Sequence, residues 1–586
     1  MQRLLPLALA AVAGIPACPA LADEKPFGLT VLHSMERILQ HEPPFGAPVA
    51  EIAAGRNEVE SFQVVVAALT TNLRVTGAEL TELVGDGDAR IPADCIKLYR
   101  QEYVRVRMST PRAELPPGLY PDALVPFINP ITGEPIQPLT QRRERWGEPL
   151  VTIGHDMYAV PFEVFKGQNQ PLWVDVHVPK DVPAGVYRGM FRVSTDHGRA
   201  EVPVTLTVWD FTLPDGPTHS NHFGGFRQIA QYFGVKPGSD EFREIEAHYC
   251  RAMADHRINP PLPSHLLPEA NPDGSLNIDP ERHEALRKFM AELNVTDFEI
   301  PRSPFGRLPH STTGPEYKTI PPEQREKAVR YYRDYYEYLK ANGWAERAYI
   351  YLLDEPNTPE NYEQVLVLAE VVREAAPELR ILVVEQTYPH DPSWADIDPA
   401  IDIWCPLWAF IDRETINQKL AQGDSVWSYT ALVQRAPSYH PQYEELREKD
   451  PPYWHIDRPL LVYRIPAWIN RQYGITGLLY WSTVTRVIEP WFNPAFAHPR
   501  HFNGGGYLFY PGVPCGIDGP VASMRLKNLR DGMEDYEYFA LLEQRGGAEA
   551  AQKVVNRIAP TWWEYTRDPQ ALLDARRELA EAIVGK

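Results

Sequence analysis

Two periods divide this chain. In its first third, apolar residues alternate with polar ones: Phe62, Val64 and Val66 in one run, Leu172, Val174, Val176 and Val178 in a second, and Val202, Val204, Leu206 and Val208 in a third. A period of two bounded by Pro, Gly and Asp predicts half-buried strands, and several in succession predict a sandwich. This N-terminal all-β sandwich is expected over residues 23–216. Within it, residues 107–157 are rich in Pro and Arg and show no period, which predicts a long ordered loop. Leu213-Pro214-Asp215-Gly216-Pro217 is a cluster of turn formers and predicts the end of the first domain.

After Pro217 the pattern changes. Short apolar runs at 220–223, 257–260, 297–301, 348–353, 380–385, 402–406, 425–430 and 477–481 alternate with stretches of helical period. Strands alternating with helices predict a parallel sheet with crossover helices, and eight such units predict a (β/α)8 TIM barrel, here over 217–520. One helix is expected from Pro321-Pro322 to near Gly343. Another has Thr358 as its N-cap and Pro359 at its first position, a favourable start. A C-terminal helical region follows over 521–586, where Leu529, Met533, Tyr536 and Ala540 form an i, i+4, i+7, i+11 stripe. The expected fold class is thus multidomain: an all-β sandwich, a TIM barrel and C-terminal helices.

Residues 1–22 read as an export signal. Arg3 is their only charge, 4–13 is an apolar run, and Ala20-Leu21-Ala22 is a small-x-small cleavage site. The run is too short to cross a bilayer, and no later stretch reaches the ~20 apolar residues needed for a transmembrane segment. The expected location is periplasmic or extracellular. Ile15-Pro16-Ala17-Cys18 loosely resembles a lipoprotein box, which Pro16 fits poorly, so outer-membrane lipidation at Cys18 is the lesser reading. Cleavage would leave Cys95, Cys250, Cys405 and Cys515, scattered too widely for a disulfide framework or a zinc site.

The 58 Lys+Arg against 78 Asp+Glu give a net charge of −20, which argues against nucleic acid and anionic membrane as partners. The 14 Trp and 29 Tyr supply flat, half-polar surfaces that suit sugar rings as well as cores. No Gly-rich phosphate motif follows an early strand. His219-x-x-His222 and His498-x-x-His501 lack a helical His pair or clustered carboxylate, so no metal and no cofactor is expected.

Barrel sites lie at the C-terminal ends of the strands. The run 348–353 ends in Asp354-Glu355-Pro356. Adjacent strand residues point to opposite faces, so both carboxylates serve one site only if the strand ends or bulges there. The bland alternative is a solvated acidic turn. Other predicted strand ends supply His222, Gln386 after Glu385, Trp408, Trp427 and Tyr429 on one strand face, and Trp481 as candidate sugar contacts. Conventional retaining glycosidases need a second carboxyl about 5–5.5 Å from the acid. Run 425–430 carries none at its end, and Asp424 lies at the wrong end. A neighbouring Asp-Glu pair without a distant nucleophile points to substrate assistance. The 2-acetamido oxygen of the substrate then attacks its own anomeric carbon, Asp354 holds the amide and Glu355 is acid and base. Two readings stay open beside this one. In the first, a glycosidase of other specificity pairs Glu355 with Glu385. In the second, a non-catalytic carbohydrate-binding protein keeps the barrel as scaffold.

The chain also carries a family resemblance. Gly55-Arg56-Asn57-Glu58 with Ser61-Phe62-Gln63, residues 173–179 with Pro183-Ala184-Gly185-Val186-Tyr187, Asp255-His256-Arg257-Ile258, Asp354-Glu355-Pro356, Gly477-Leu478-Leu479-Tyr480-Trp481-Ser482 and residues 525–538 resemble glycoside hydrolase family 123. Residues 525–538, which include Arg530-Asp531-Gly532-Met533-Glu534-Asp535, are the most specific of these. The resemblance implies an N-terminal β-sandwich, a catalytic (β/α)8 barrel and a retaining β-N-acetylgalactosaminidase acting on a glycan or glycoconjugate, with stabiliser and acid/base roles on Asp354 and Glu355. The charged run 530–535 itself reads as structural, docking the C-terminal helices to the barrel. Asn503-Gly504-Gly505-Gly506 reads as either a flexible rim over the pocket or a linker.

Overall fold

The structure is a computed structural model that describes residues 25–136, 157–226, 228–306, 319–485, 487, 489–496 and 500–585. The expected signal segment with Cys18, and His498, lie outside the described residues. No helix among those described is long and apolar enough to cross a membrane.

The alternating runs near the N-terminus form two sheets. The first orders its strands Phe27–His33, Glu58–Ala68, Asn169–Val178, Ile96–Val106 and Gly118–Pro126, all antiparallel. The second orders Ala50–Arg56, Gly198–Thr212, Gly185–Thr195, Leu73–Leu80 and Phe162–Val164, with two short strands on its margin. Phe62, Val64, Leu172 and Val174 of the first meet Phe191, Val193, Val204 and Leu206 of the second in one apolar core. The stretch expected to be an aperiodic loop contains the strand Gly118–Pro126. Its period is hidden by two prolines. Pro121 is tolerated because this is an edge strand, and it faces a register shift between Glu102 and Tyr103.

The following parallel sheet has seven strands: β1 (Ser220–Phe223), β2 (Phe298–Glu299), β3 (Ala348–Asp354), β4 (Arg380–Val384), β5 (Ile403–Trp404), β6 (Ser425–Thr430) and β7 (Gly477–Tyr480), ordered β1-β7-β6-β5-β4-β3-β2. The sheet is barrel-like and nearly closed. The gap lies between β1 and β2, where the apolar run 257–260 predicts the eighth strand. That segment is not a strand, for two reasons. Arg257 sits at a left-handed φ of +57°, and Pro260-Pro261 lack the N–H groups a ladder needs. Side-chain amides bridge the gap instead. The Asn259 N–H donates to Asn221 Oδ1 of β1 at 2.7 Å, and Asn259 Oδ1 accepts from the Thr296 N–H, just before β2, at 2.9 Å.

Helices α1 (Asp240–Ala254), α2 (Pro280–Glu292), α3 (Pro322–Ala341), α4 (Pro359–Ala375) and α5 (Arg413–Gln422) lie between strands, as do the short α6 (Leu461–Arg464) and α7 (Pro466–Tyr473) before β7. The expected cap of α4 is present, with Thr358 Oγ1 accepting from the Asn361 N–H at 3.2 Å. Between β4 and β5 the described chain makes only a 3-10 turn, Asp398–Ala400. The C-terminal helices are α8 (Met524–Gln544), α9 (Ala548–Ile558) and α10 (Pro569–Val584); the chain enters α8 through a short strand, Pro520–Ala522.

Helix α8 is buried nearly all round, charges included. It lies against the outer face of the first sheet, where Ser61, Gln63, Trp173 and Asp175 alternate with the core residues. Lys527 Nζ donates to Asp175 Oδ2 at 2.7 Å, and Arg530 Nη2 donates to Ser61 Oγ at 2.7 Å. Burial opposes charge on Asp175, yet Lys527 and Arg530 together hold its carboxyl far below the usual range. Arg257 reaches in from the β1–β2 gap, donating to Glu534 Oε1 at 3.2 Å and to the Asn57 carbonyl at 2.7 Å. Arg464 of α6 forks onto Asp535 with two bonds of 2.8 Å, and Arg576 of α10 donates to the same carboxylate at 2.8 Å while pairing with Glu58 and Glu60. The charged run therefore docks α8 to the barrel, as expected, and equally to the first sheet and to α10.

Asp535 is the hub of this network. Asp535→Asn leaves two buried guanidinium groups short of a partner, a change that costs about 3–5 kcal/mol. Thermal or denaturant unfolding is expected to show that loss. Glu578→Gln, which breaks the exposed Arg557–Glu578 pair, is expected to stay within ~1 kcal/mol of wild type. Equal effects of the two substitutions would refute the role given to the network.

Candidate active site

The chemistry expected at the end of β3 depends on a one-residue irregularity. Tyr349 and Tyr351 face the barrel interior, packed with Leu382, Val384, Cys405, Trp427 and Tyr429. Strict alternation would send Leu353 inward and Asp354 outward. The β3–β4 register instead shifts between Tyr351 and Leu353: Tyr351 pairs with Leu382, Leu353 with Val383 and Asp354 with Val384. The extra residue reverses the alternation. Leu352 and Leu353 both enter the outer core, and Asp354 turns to the interior side with Val384. Glu355 comes next with φ of +42°, a left-handed conformation that costs a non-glycine residue roughly 1–2 kcal/mol. Asn357 Nδ2 bonds the Glu355 carbonyl at 2.8 Å and supports this turn.

The bulge and the turn bring both carboxylates to one mouth. Asp354 Oδ1 accepts from Tyr351 OH at 2.7 Å, and Glu355 Oε1 accepts from Tyr429 OH on β6 at 2.5 Å. His222 at the end of β1 also faces inward. Its Nδ1 lies 2.7 Å from Tyr349 OH, its ring meets the Tyr351 edge at 5.5 Å, and burial lowers its pKa to about 4, so it is neutral. Trp427 lies one layer below Tyr429, edge-on to Tyr349 at 5.2 Å and over Gly477, where a Cβ would stand 2.4 Å from the indole. It forms the floor beneath the site.

Glu385 and Gln386 follow β4. The Glu385 carboxyl is buried and accepts from Tyr362 OH at 3.2 Å. Burial, with the charge of Glu355 adding to it, pushes its pKa up to about 8 against the hydrogen bonds from Tyr362 and the Gln386 backbone. Gln386 is buried beside it with Nε2 unpartnered. Trp481 ends β7 half-buried, its indole N–H unpartnered, its ring packed on Phe496 at 5.2 Å and on Gly506, where a Cβ would come within 2.2 Å of the ring. The 503–506 run is thus neither a flexible rim nor a linker. It is a buried turn that seats Trp481, with the Gly506 N–H bonded to Tyr480 OH at 2.8 Å. Trp408 is not brought to the site. It is fully buried in the outer core, donating to Ser428 Oγ at 3.0 Å and to Asn470 Oδ1. The chain after β5 points this side chain outward, which spacing alone does not reveal. The other member of the first His pair, His219, also lies away from the site, stacked on Tyr536 at 4.0 Å.

Several groups at the site escape sequence reasoning. Tyr349 and Tyr351 carry the signal of two period-two tyrosines running into Asp354. Glu299 lies inside an expected strand, but nothing in the sequence marks its facing. With Asp354, Arg302 and Tyr332 it lines a cavity of about 640 Å³. Tyr439, stacked on His390 at 3.9 Å, belongs to the rim and sits in an aperiodic loop.

Residues 311–542 match the family model described as glycoside hydrolase 123, catalytic domain. Among solved structures, the fold resembles that of a family 123 glycoside hydrolase from Clostridium perfringens, described for glycolipid glycan hydrolysis. The TM-score is 0.65 at 12% identity, over 96% of this chain and 97% of that one. At that identity the likeness is one of fold. A β-glucuronidase from Ruminococcus gnavus, at 10% identity over 81% of this chain and 66% of that one, reaches a TM-score of only 0.27 and carries no argument. Comparison with curated proteins gives no match.

Glu385 generates a pH prediction. Its folded pKa of about 8 lies above the ordinary value of 4.5, so between those values the folded state keeps a proton the unfolded chain has lost. Its contribution to stability is therefore complete below pH ~4.5 and falls, by at most about 1.4 kcal/mol per unit, until pH ~8. Glu385→Gln is expected to gain on wild type across that window and to run parallel to it above. Melting curves at pH 5, 7 and 9 check this; a constant difference would show that Glu385 is ionised throughout.

Proposed function

We propose that this chain, a glycoside hydrolase belonging to family 123, is an exported retaining β-N-acetylgalactosaminidase that removes a terminal sugar with the help of the substrate's own 2-acetamido group. The observation that carries the mechanism is the inverted end of β3, which turns two consecutive carboxylates to one mouth while β6 presents Tyr429, and no carboxylate, across from them. The choice of N-acetylgalactosamine rests on the family resemblance. In the same reading the chain comprises a signal peptide at 1–22, a β-sandwich at 23–216, a (β/α)8 barrel at 217–520 whose second strand is replaced by the 257–260 segment, and a helical region at 521–586.

In the first step the acetamido oxygen bonds to the anomeric carbon as the glycosidic C–O bond breaks, and Glu355 gives its proton to the leaving oxygen. Asp354, fixed by Tyr351, accepts the amide N–H and stabilises the positive oxazolinium ion. In the second step Glu355 takes a proton from water, which attacks the anomeric carbon and restores the acetamide. Two inversions give net retention. Tyr429 orients Glu355 through one oxygen and leaves the other for the proton. His222, Gln386 and Trp481 line the mouth as sugar contacts. Trp427 supports them from below, and Trp408 has no part.

The conventional reading, with Glu385 as nucleophile, has in its favour that Glu385 feels the charge of Glu355. Against it, a nucleophile must be ionised, and burial pushes Glu385 up to about 8, which opposes its ionisation at neutral pH.

Matched aryl β-glycosides with and without the 2-acetamido group test the reading. Glu355→Gln is expected to lower kcat/KM by about 10²–10⁴-fold, and Asp354→Asn by roughly 10²-fold, without loss of fold. The thiazoline analogue of the cyclic intermediate is expected to bind at least ~10²-fold tighter than substrate. Equal turnover of sugars lacking the acetamido group would overturn the mechanism and return attention to Glu385.

A further inference from the structure

We propose that Glu299 is a specificity-determining residue that holds hydroxyl groups of the terminal sugar on the Asp354 side of the pocket; this inference rests on the substrate-assisted reading of the site. Strand β2 contributes two residues, Phe298 and Glu299, paired in register with Ala348 and Tyr349 of β3. Residues paired in register share a face of the sheet. Phe298 packs into the outer core and Tyr349 into the interior, so Glu299 projects inward. Its partner Tyr349 stands five residues before Asp354 on β3 and meets the floor residue Trp427, which sets the Glu299 carboxyl low on the pocket wall.

Glu299 lines two cavities. One, of about 200 Å³, is shared with His222, Asn259 and Tyr349 at the β1–β2 gap. The other is shared with Asp354 and runs along the outer face of β3, past Leu352, Leu353, Leu368 and Val371. Its carboxyl has no hydrogen bond or ion pair among the described residues. The cation that acts on it, Arg302, spends a donor on the Leu352 carbonyl at 3.4 Å. Glu299 is half-buried; a carboxyl largely screened from water and without a partner is unfavourable, and desolvation pushes this one up to about 7. Two neighbouring hydroxyls of a sugar ring satisfy both of its oxygens, whichever protonation state it holds. In the proposed mechanism Glu355 and Tyr429 stand at the leaving oxygen, and Asp354 stands at the acetamido group of the terminal sugar. Glu299 and His222, which border Asp354 and Tyr351, therefore face the ring of that sugar and not the leaving group.

The test compares wild type, Glu299→Gln and Glu299→Ala on an aryl β-N-acetylgalactosaminide and its 3-, 4- and 6-deoxy analogues, with melting temperatures as the check on folding. Loss of hydrogen bonds to a charged group corresponds to about 10- to 100-fold in KM. Glu299→Ala is expected to raise KM by that factor, and Glu299→Gln, which keeps one acceptor, by less. At least one deoxy analogue is expected to be poor for wild type yet no poorer for Glu299→Ala than the parent sugar is. An unchanged KM, or deoxy losses that multiply with the substitution at every position, would overturn the assignment while leaving the mechanism intact. Wild type without turnover of any acetamido sugar would overturn the functional reading and this inference with it.

Discussion

Charges that water does not reach hold this molecule in one arrangement. Helix α8 enters the space between the first β-sheet, the barrel and the C-terminal helices, and it meets each of them through ions. Lys527 and Arg530 reach the sheet at Asp175 and Ser61, Glu534 receives Arg257 from the β1–β2 gap, and Asp535 takes Arg464 and Arg576 together. Buried ion pairs add little net stability over a well-packed apolar contact, but removing one partner is costly. Such a network therefore penalises other arrangements of these elements more than it stabilises this one. It also explains why the first sheet is buried on both faces: its inner residues are apolar, and its outer ones are the polar partners of α8.

Most of the motifs that carry the family resemblance converge on this network. Glu58 of Gly55-Arg56-Asn57-Glu58 pairs with Arg576 and accepts from Tyr538 OH at 2.9 Å. Ser61, Asp175 and Arg257 bring in three further motifs. These residues build the molecule and do not touch the site. Pro183-Ala184-Gly185-Val186-Tyr187 lies apart, with Tyr187 in the core between the two sheets and its OH donating to the Pro183 carbonyl, while Asp354-Glu355-Pro356 and the end of β7 lie at the mouth of the parallel sheet.

At that mouth, a small backbone irregularity has a large chemical effect. One extra residue in β3 reverses the facing of Asp354, and a left-handed Glu355 completes the turn. The two carboxylates then sit beside different partners, Tyr351 for Asp354 and Tyr429 for Glu355, which allows adjacent residues to take different roles. The strain at Glu355 is retained where the chemistry needs it, a common location for such strain.

The elements themselves are legible along the chain. Period-two runs locate the sheets, seven of the eight expected parallel strands are present, and Thr358-Pro359 marks the start of α4, because these features depend on neighbours in sequence. The Asp354-Glu355-Pro356 run is legible for the same reason. Facing is not. Whether Trp408 points outward, whether Glu299 points inward and whether Asp354 shares a side with Glu355 depend on register with another strand. The segment 257–260 leaves the ladder at Arg257, which takes a left-handed φ and reaches Glu534, 277 residues away in sequence. The strand Gly118–Pro126 forms despite Pro121 because it lies on an edge. Such matters are settled only on folding, since an interior face, a sheet edge and a buried counter-ion do not exist until distant segments have met.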